Sequence, residues 1–507
     1  MSSRASAPMS ARRQSVLYLV GAVFQGLGVV LVQPFSIRIL GAGEWGRVGV
    51  SMSLLQVGMV VIAAGLPLAV ARSFYDPAQG PGHARSVAGF QIVLGLVAAT
   101  AVSLGMVALA ALRGGAADIM PFAVAVFTIG LYAVLTAAQA LLRAEQRPVA
   151  FVVLTAGATI GAHGCGLAAI TLVSPTATAY LGAFAIAVLI ASLVSLHVTR
   201  PASPRRHRAA VREAIRISLP VVPHSVALTF LLQGDTMLVK TLAGDAVAGY
   251  YAAAAPFSLG VVTLLAALNN VWTPSIMASH GDDRNRRVND VMRSAALSAA
   301  AIAAVAMLGA IVGGHVLGGT TAGHLLDLDA APTPTVDTII DLAKVLPLIS
   351  VGYALYLVAT SLLFAARRTG SLAWVTLTVT VLAMAAFTWP AAHGNLVLMG
   401  VVKVLAYALL GVAYLLIALR VTGIRLRLRV LGLVAVADVV LSGLLLLVPN
   451  TMGSGLLVLG VAAVLGIVAA SLLYRRRRGR RAPAADGRAT ATPQTVPASI
   501  PEEKDLP

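Results

Sequence analysis

The chain has 507 residues, of which 58% are hydrophobic and only 11% charged, and its mean hydropathy is +0.89. That balance excludes a water-soluble domain of this length. A formal net charge of +18 would suit nucleic acid, but no basic domain stands apart from the apolar stretches, so orientation in a membrane and anionic lipid account for it better. The single cysteine, Cys165, excludes an internal disulfide and a cysteine-based zinc cluster. In its apolar segment it reads as a small packing residue.

A basic N-terminus, 1–13, leads into the first apolar stretch, which is too long for a cleavable signal peptide and has no small-residue cleavage site after it. Residues 14–37, 48–71, 86–112 and 119–142 each lack Asp, Glu, Lys and Arg. Each is long enough to cross about 30 Å of hydrocarbon, and only a helix closes its own backbone hydrogen bonds there. Fourteen spans are expected, at about 15–37, 48–71, 87–112, 119–142, 149–173, 177–198, 215–239, 246–272, 291–317, 339–364, 371–391, 396–419, 430–448 and 456–474. Ser174-Pro175-Thr176, the stretch from Pro390 to Asn395, and Pro449-Asn450 divide runs that are otherwise too long for one helix. The fold class is therefore an all-α polytopic membrane protein.

The Lys and Arg residues fall almost entirely on every second connection. Of 37, only Arg38, Arg47, Arg113, Lys240, Lys344 and Lys403 do not. A cytoplasmic N-terminus satisfies the positive-inside rule, so both termini are expected in the cytoplasm of a multi-pass cell-membrane protein. The expected organisation is a first six-helix bundle (14–199), a basic linker (200–216), a second six-helix bundle (217–420), two additional helices (421–474), and a basic tail, 475–507, whose Ala, Pro and Thr content after Arg481 reads as disordered. The longest external connection, 318–338, carries Asp327, Asp329 and Asp337 without Lys or Arg. No connection is long enough for a folded domain, so function must lie among the helices.

The leading helix pair of each bundle looks alike. Gln25, Gln33 and Pro34 precede Arg38-Ile39-Leu40-Gly41, a short turn and Gly46. Pro220, Pro223, Gln233 and Asp235 precede Lys240-Thr241-Leu242, a short turn and Gly249-Tyr250-Tyr251. Repeats of equal topology mark several transporter folds and place substrate between the halves. On these residues the sequence resembles the polysaccharide (lipid-linked oligosaccharide) flippase family of the multidrug/oligosaccharidyl-lipid/polysaccharide (MOP) exporter superfamily. The likeness runs over about 14–420 and is sharpest in 20–72 and 215–278. Leu242-Ala243 departs from the family's usual Leu-Gly, and the two additional helices are similar to those of the related lipid II flippases.

The resemblance implies alternating access that moves a polyprenyl-diphosphate-linked glycan to the outer leaflet, for cell-surface polysaccharide or cell-wall synthesis. Arg38 reads either as a snorkelling anchor or as a phosphate contact. Lys403 has no nearby acid in sequence, so it must find another helix, a headgroup or a cavity. Asp235 reads as a proton-coupling carboxylate, the alternative being a local pair with Lys240, which at five residues is off its helix face. Gln25, Gln33 and Gln56 suit hydroxyl-rich sugars but also suit helix–helix bonds. Lys344 has Asp341 three residues before it, His163 reads as a hydrogen-bonded histidine, and Asp438 as an isolated acid of the added helices. Asp327 and Asp329 read as a solvated acidic loop rather than a metal site.

No cofactor is expected, since no nucleotide-binding glycine loop is present; coupling would come from a proton or monovalent cation. Expected partners are the lipid-linked glycan, anionic membrane lipids and other polysaccharide-assembly membrane proteins, with no nucleic acid. The competing readings are a cation-coupled multidrug exporter, which would want an acid in the first bundle where none occurs mid-span, and a membrane-embedded glycosyltransferase or ligase. A transporter, not an enzyme, is expected.

Overall fold

The computed structural model describes residues 11–63, 65–277, 279, 282–318, 336–366, 368, 370, 372–427, 436, 439–451, 453–454, 456–457 and 460–461, with side chains for most of them from Val32 onward. Every regular element among these residues is helical. The order is α1 (Ala11–Ala63), α2 (Leu66–Tyr75), α3 (Pro81–Leu112), α4 (Ala116–Ala144), α5 (Pro148–Ala156), α6 (Ala162–Leu172), α7 (Ala177–Thr199), α8 (Arg208–Ser218), α9 (Val222–Met277), α10 (Asp282–Gly318), α11 (Val336–Val345), α12 (Ile349–Ala365), α13 (Leu372–Ala392) and α14 (Leu396–Thr422). A π-helical turn, Gly157–Gly161, joins α5 to α6, and short 3-10 turns join α8 to α9 and α11 to α12.

Two helices are bent back on themselves at glycines. α1 turns at Gly41 (φ 70°, ψ 175°) and α9 turns at Gly244 (φ 88°, ψ 178°). That backbone region is essentially closed to residues with a Cβ. Among the described residues, ten helical stretches are long and apolar enough to cross a membrane, and Arg208–Met277 among them contains the Gly244 bend. With the bends counted, the first bundle crosses through the two arms of α1 (the second continued by α2), α3, α4, α5–α6 and α7. The second crosses through the two arms of α9, α10, α11–α12, α13 and α14. The bends correct the expected register of the repeat: the partner of Gly41 is Gly244, two residues after the Leu242 of the sequence motif.

The expected helix breaks are present, with their capping chemistry. Thr176 caps α7 by accepting from the Ala179 N–H at 3.2 Å, and Asn395 caps α14 by accepting from the Leu398 N–H at 3.0 Å. Helical residues 439–446 run into a turn at 447–450, around Pro449-Asn450. Residues 430–435, 437 and Asp438 of the thirteenth span, most of the fourteenth, the tail, and Asp327 with Asp329 lie outside the described residues. The chain divides into a unit of 1–455 and a second of 456–507, the latter described only at Leu456, Leu457, Gly460 and Val461.

Large apolar side chains such as Val97, Leu104, Leu172, Val305, Trp374 and Trp389 are exposed, as a surface bathed in lipid requires. Cys165 is also exposed, so it faces outward and does not pack as its apolar surroundings suggested. The second bundle has the larger core, which includes Tyr251, Tyr353, Tyr356, Tyr407 and Tyr414. Broad contact between α1 and α9 joins the bundles. One end of the molecule carries both glycine bends, here the kink end; the other carries the linker, here the linker end.

At the linker end, Ala202 donates its N–H to the Arg85 carbonyl at 3.0 Å. A Cβ on Gly89 would lie 2.0 Å from the Ala202 carbonyl oxygen, so the linker is strapped flat against α3. Ser86 Oγ and His207 Nδ1 lie 2.9 Å apart, and the His83 and His207 rings are 4.0 Å apart. Partial desolvation, then the neighbouring His83 and Arg206, lower the His207 pKa below the ordinary imidazole value. α8 buries Ala210, Val211 and Ala214 against the first bundle and leaves Arg208, Arg212 and Arg216 exposed.

Candidate functional site

Near-identical bends let the two hairpins interlock at the kink end. A Cβ on Gly46 would sit 1.9 Å from the Asp245 carbonyl oxygen, and one on Gly249 would sit 2.0 Å from the Ala42 carbonyl oxygen. Counting from each bend, Ala42 corresponds to Asp245 and Gly46 to Gly249, so the same contact is made twice. Only glycine lets two backbones approach this closely.

Charges gather around that interlock. Arg47 reaches Glu44 at 3.1 Å, Asp118 at 3.4 Å and, across the bundles, Asp245 at 3.0 Å. Lys240 pairs with Asp245 and sits 4.8 Å from the centroid of the Phe122 ring of the first bundle. Glu44 accepts from the Ala177 N–H at 2.6 Å and so ties the cluster to the start of α7. Further polar bonds cross between the bundles: Gln33 Nε2 donates to the Ala253 carbonyl at 2.6 Å, and Ser53 Oγ donates to Gln233 Oε1 at 3.3 Å.

Beneath the interlock lies a cavity of about 120 Å³, lined from both bundles. Its polar lining is Ser53 and Gln56 of α1, His163 of α6, and Gln233 and Thr236 of α9; Trp45 supplies an aromatic wall. His163 Nδ1 is 2.8 Å from the Tyr180 hydroxyl. No Asp, Glu, Lys or Arg is among the described lining residues.

Asp235 has a partner that neither of its sequence readings named. It is fully buried in the second bundle and paired with Lys403, itself 1% exposed, at 2.6 Å. Lys403 also donates to the Leu232 carbonyl at 2.7 Å, and Tyr251 donates its hydroxyl to the same Asp235 oxygen at 2.5 Å. The Thr236 N–H donates to the other Asp235 oxygen at 2.9 Å. Lys240 turns instead to Asp245, so the local Asp235–Lys240 pair is not formed. Asp235 and Lys403, unrelated in sequence, are thus one unit. Neither lines the cavity; of the alternatives open to Lys403, a partner on another helix is the one formed.

Of the other candidates, Arg38 is exposed at the kink end and Gln33 is spent on its bond to Ala253. Gln25 lies on α1 with its side chain outside the described residues. Gln56 lines the cavity. Lys344 pairs with Asp341 at 3.4 Å, as its spacing suggested, and also donates to the Asn450 side chain at 3.0 Å and the Val448 carbonyl at 3.1 Å. Sequence reasoning gave no role to Trp45, Ser53, Thr236, Glu44, Arg47 or Asp245. The only signal for the last three was that Arg47 and Lys240 break the charge alternation beside close acids.

The arrangement is thus two helical bundles around a cavity that is closed at the kink end. The fold matches those of solved MOP superfamily transporters. An inward-facing multidrug resistance MATE family transporter superposes with a TM-score of 0.58 at 14% identity, over 82% of this chain and 96% of that one. The outward-facing conformation of such a transporter gives a TM-score of 0.57 at 14% identity, over 81% and 95%. A MOP superfamily transporter from Pyrococcus furiosus, described as having a binding pocket of reversed polarity, gives 0.57 at 15% identity, over 81% and 95%. No curated protein matches the sequence. The profile of the family described as polysaccharide biosynthesis protein matches residues 37–318. The chain belongs to that family, and it is a multi-pass membrane protein with a MOP-type fold.

Proposed function

We propose that the protein is a flippase that moves a polyprenyl-diphosphate-linked oligosaccharide across the cytoplasmic membrane by alternating access, in the synthesis of surface polysaccharide or cell wall. The linker end, with the arginine-rich connections, is cytoplasmic, and the kink end is external. The observation that carries this reading is the cavity between the bundles, sealed on the external side by the Gly46–Gly249 interlock and the Arg47 cluster. A cavity reached from alternate sides requires such a seal to open and close. Membership of a polysaccharide biosynthesis family supports the substrate class.

The Asp235–Lys403 pair is the proposed coupling element: a proton reaching Asp235 would release Lys403 and loosen α9 from α14. The basic face of α8 would rest on anionic lipid headgroups. Mass spectrometry of lipids that co-purify with the protein tests the substrate. A bound polyprenyl diphosphate glycan is expected, and its absence alongside bound cationic drugs would favour the multidrug exporter instead.

A further inference from the structure

α9 and α14 are tied together twice along one seam. The Asp235–Lys403 pair is the first tie. The second lies eleven residues nearer the linker end on α9 and eleven residues further along α14, where His224 meets Tyr414. Eleven residues make three turns of helix, about 16 Å, so both ties fall on the same two helix faces.

His224 is half-buried in the first turn of α9. Its Nε2 lies 3.0 Å from the Tyr356 hydroxyl of α12. Its Nδ1 lies 2.8 Å from Thr376 Oγ1 of α13 and 3.3 Å from the Tyr414 hydroxyl of α14. Tyr356, Thr376 and Tyr414 are all buried. The network itself assigns the ring proton. Thr376 and Tyr414 both donate to the Leu372 carbonyl, at 3.0 and 2.5 Å, so Thr376 Oγ1 can accept from Nδ1–H. The Tyr356 hydroxyl has no other described acceptor, so it donates to Nε2. With the ring neutral, each of these hydrogens has a place.

A second proton, on Nε2, breaks that order. Nε2–H then points at a hydroxyl whose own hydrogen has lost its acceptor, which leaves a buried donor unsatisfied. Nor is the new charge compensated. The groups facing the ring are Tyr356 with Tyr353 behind it on α12, Thr376 on α13 and Tyr414 on α14, and tyrosines are uncharged at neutral pH. Toward the linker end, α8 brings Glu213 and Arg216, the α12–α13 connection brings Arg368, and α14 brings Arg420; all four are exposed. No carboxylate is among the described partners of the ring. An imidazolium is therefore better held where α9 stands away from α12 and α14 and water enters.

We infer that His224 is a second proton-binding residue of the transport cycle, and that its protonation frees the linker end of α9. The inference rests on the transport reading and extends it. Asp235 takes its proton toward the kink end and His224 toward the linker end, and each proton undoes one tie of the same seam.

Two measurements on the purified full chain in lipid nanodiscs test this. Nitrogen-15 NMR of histidine-labelled protein, taken as the difference between wild type and His224→Gln, isolates this ring among the nine histidines. Its signal should pass from the neutral to the doubly protonated form between about pH 8 and pH 5. In a Cys165→Ala background, spin labels on the exposed positions Leu219→Cys and Val421→Cys should move apart, by pulsed electron resonance, as that signal changes. His224→Gln should keep the neutral-pH distance throughout. Tyr356→Phe should keep the titration and shrink the movement, because no hydroxyl hydrogen is then displaced. If His224→Gln does not fold, Tyr356→Phe still identifies the ring by the shift of its Nε2 signal. The inference is overturned if the ring stays neutral down to pH 5, if the labels do not move apart, or if they do so equally in His224→Gln. Failure here leaves coupling at Asp235 standing, since that is read from the gradient dependence of an Asp235→Asn, Lys403→Met variant with His224 intact.

Discussion

Asp235 and Lys403 show how far a buried charge depends on its partner. Removing one of them leaves the other unpaired in a dry interior, which costs about 3–5 kcal/mol, whereas removing both is often far milder. Asp235→Ala should therefore sharply lower the melting temperature in detergent, and Asp235→Asn combined with Lys403→Met should recover most of the loss. The same double variant examines coupling: transport by the recovered protein is expected to lose its dependence on the pH gradient, and retained dependence would show that the pair only holds the helices together. At the kink end the charges are part-exposed, with side chains of Arg47 and Asp245 30% and 26% accessible, so each ion pair there contributes about 1 kcal/mol or less. Its effect is on access more than on stability. In a Cys165→Ala background, Arg47→Ala should speed the labelling of a cysteine placed at Ser53 by a reagent added from the kink end.

Among the elements, the bent helices are the least tolerant. Gly46→Val puts branched carbon atoms where the Asp245 carbonyl already stands, and overpacking of this kind costs about 1–3 kcal/mol. Because the cost falls on the closed arrangement, the variant is expected to populate a state open at the kink end, visible as faster labelling at Ser53 with little loss of helix content. The linker strap responds to pH. His207 takes up a proton less readily when docked beside His83 and Arg206 than when free, so the docked form is favoured at neutral pH and loses ground as pH falls below about 6.5. Hydrogen exchange across 200–207 should accelerate in that range, and His207→Asn should flatten the dependence.

For the whole molecule, orientation is the property most directly open to test. Single cysteines at Ala202 and Ala246, again without Cys165, should be labelled from opposite sides of the membrane by an impermeant maleimide, with Ala202 on the cytoplasmic side. The helix order and the breaks at Thr176 and Asn395 were legible in the sequence because hydrocarbon thickness and proline or glycine punctuation act locally. The site was less so. Asp235 and Lys403 each stood out as anomalies, but nothing in a linear chain says that residues 168 apart will meet. Gln33 could equally have been a ligand or a strut, and only the nearby Ala253 carbonyl decides for the strut. Trp45, Ser53 and Thr236 carry no signal by type or spacing; they matter because two bends bring α1 and α9 face to face.

The double glycine contact has a further consequence. Each hairpin offers one carbonyl and one bare Cα, and receives the same two from the other, so the surface is complementary to itself about a two-fold axis, as in an isologous dimer. A substitution on one side cannot be relieved by the matching change on the other, because the paired positions repeat the demand instead of compensating it. Such a joint can diverge around its glycines but not at them, which leaves Gly46 and Gly249 as the fixed points about which the rest of each bundle is free to vary.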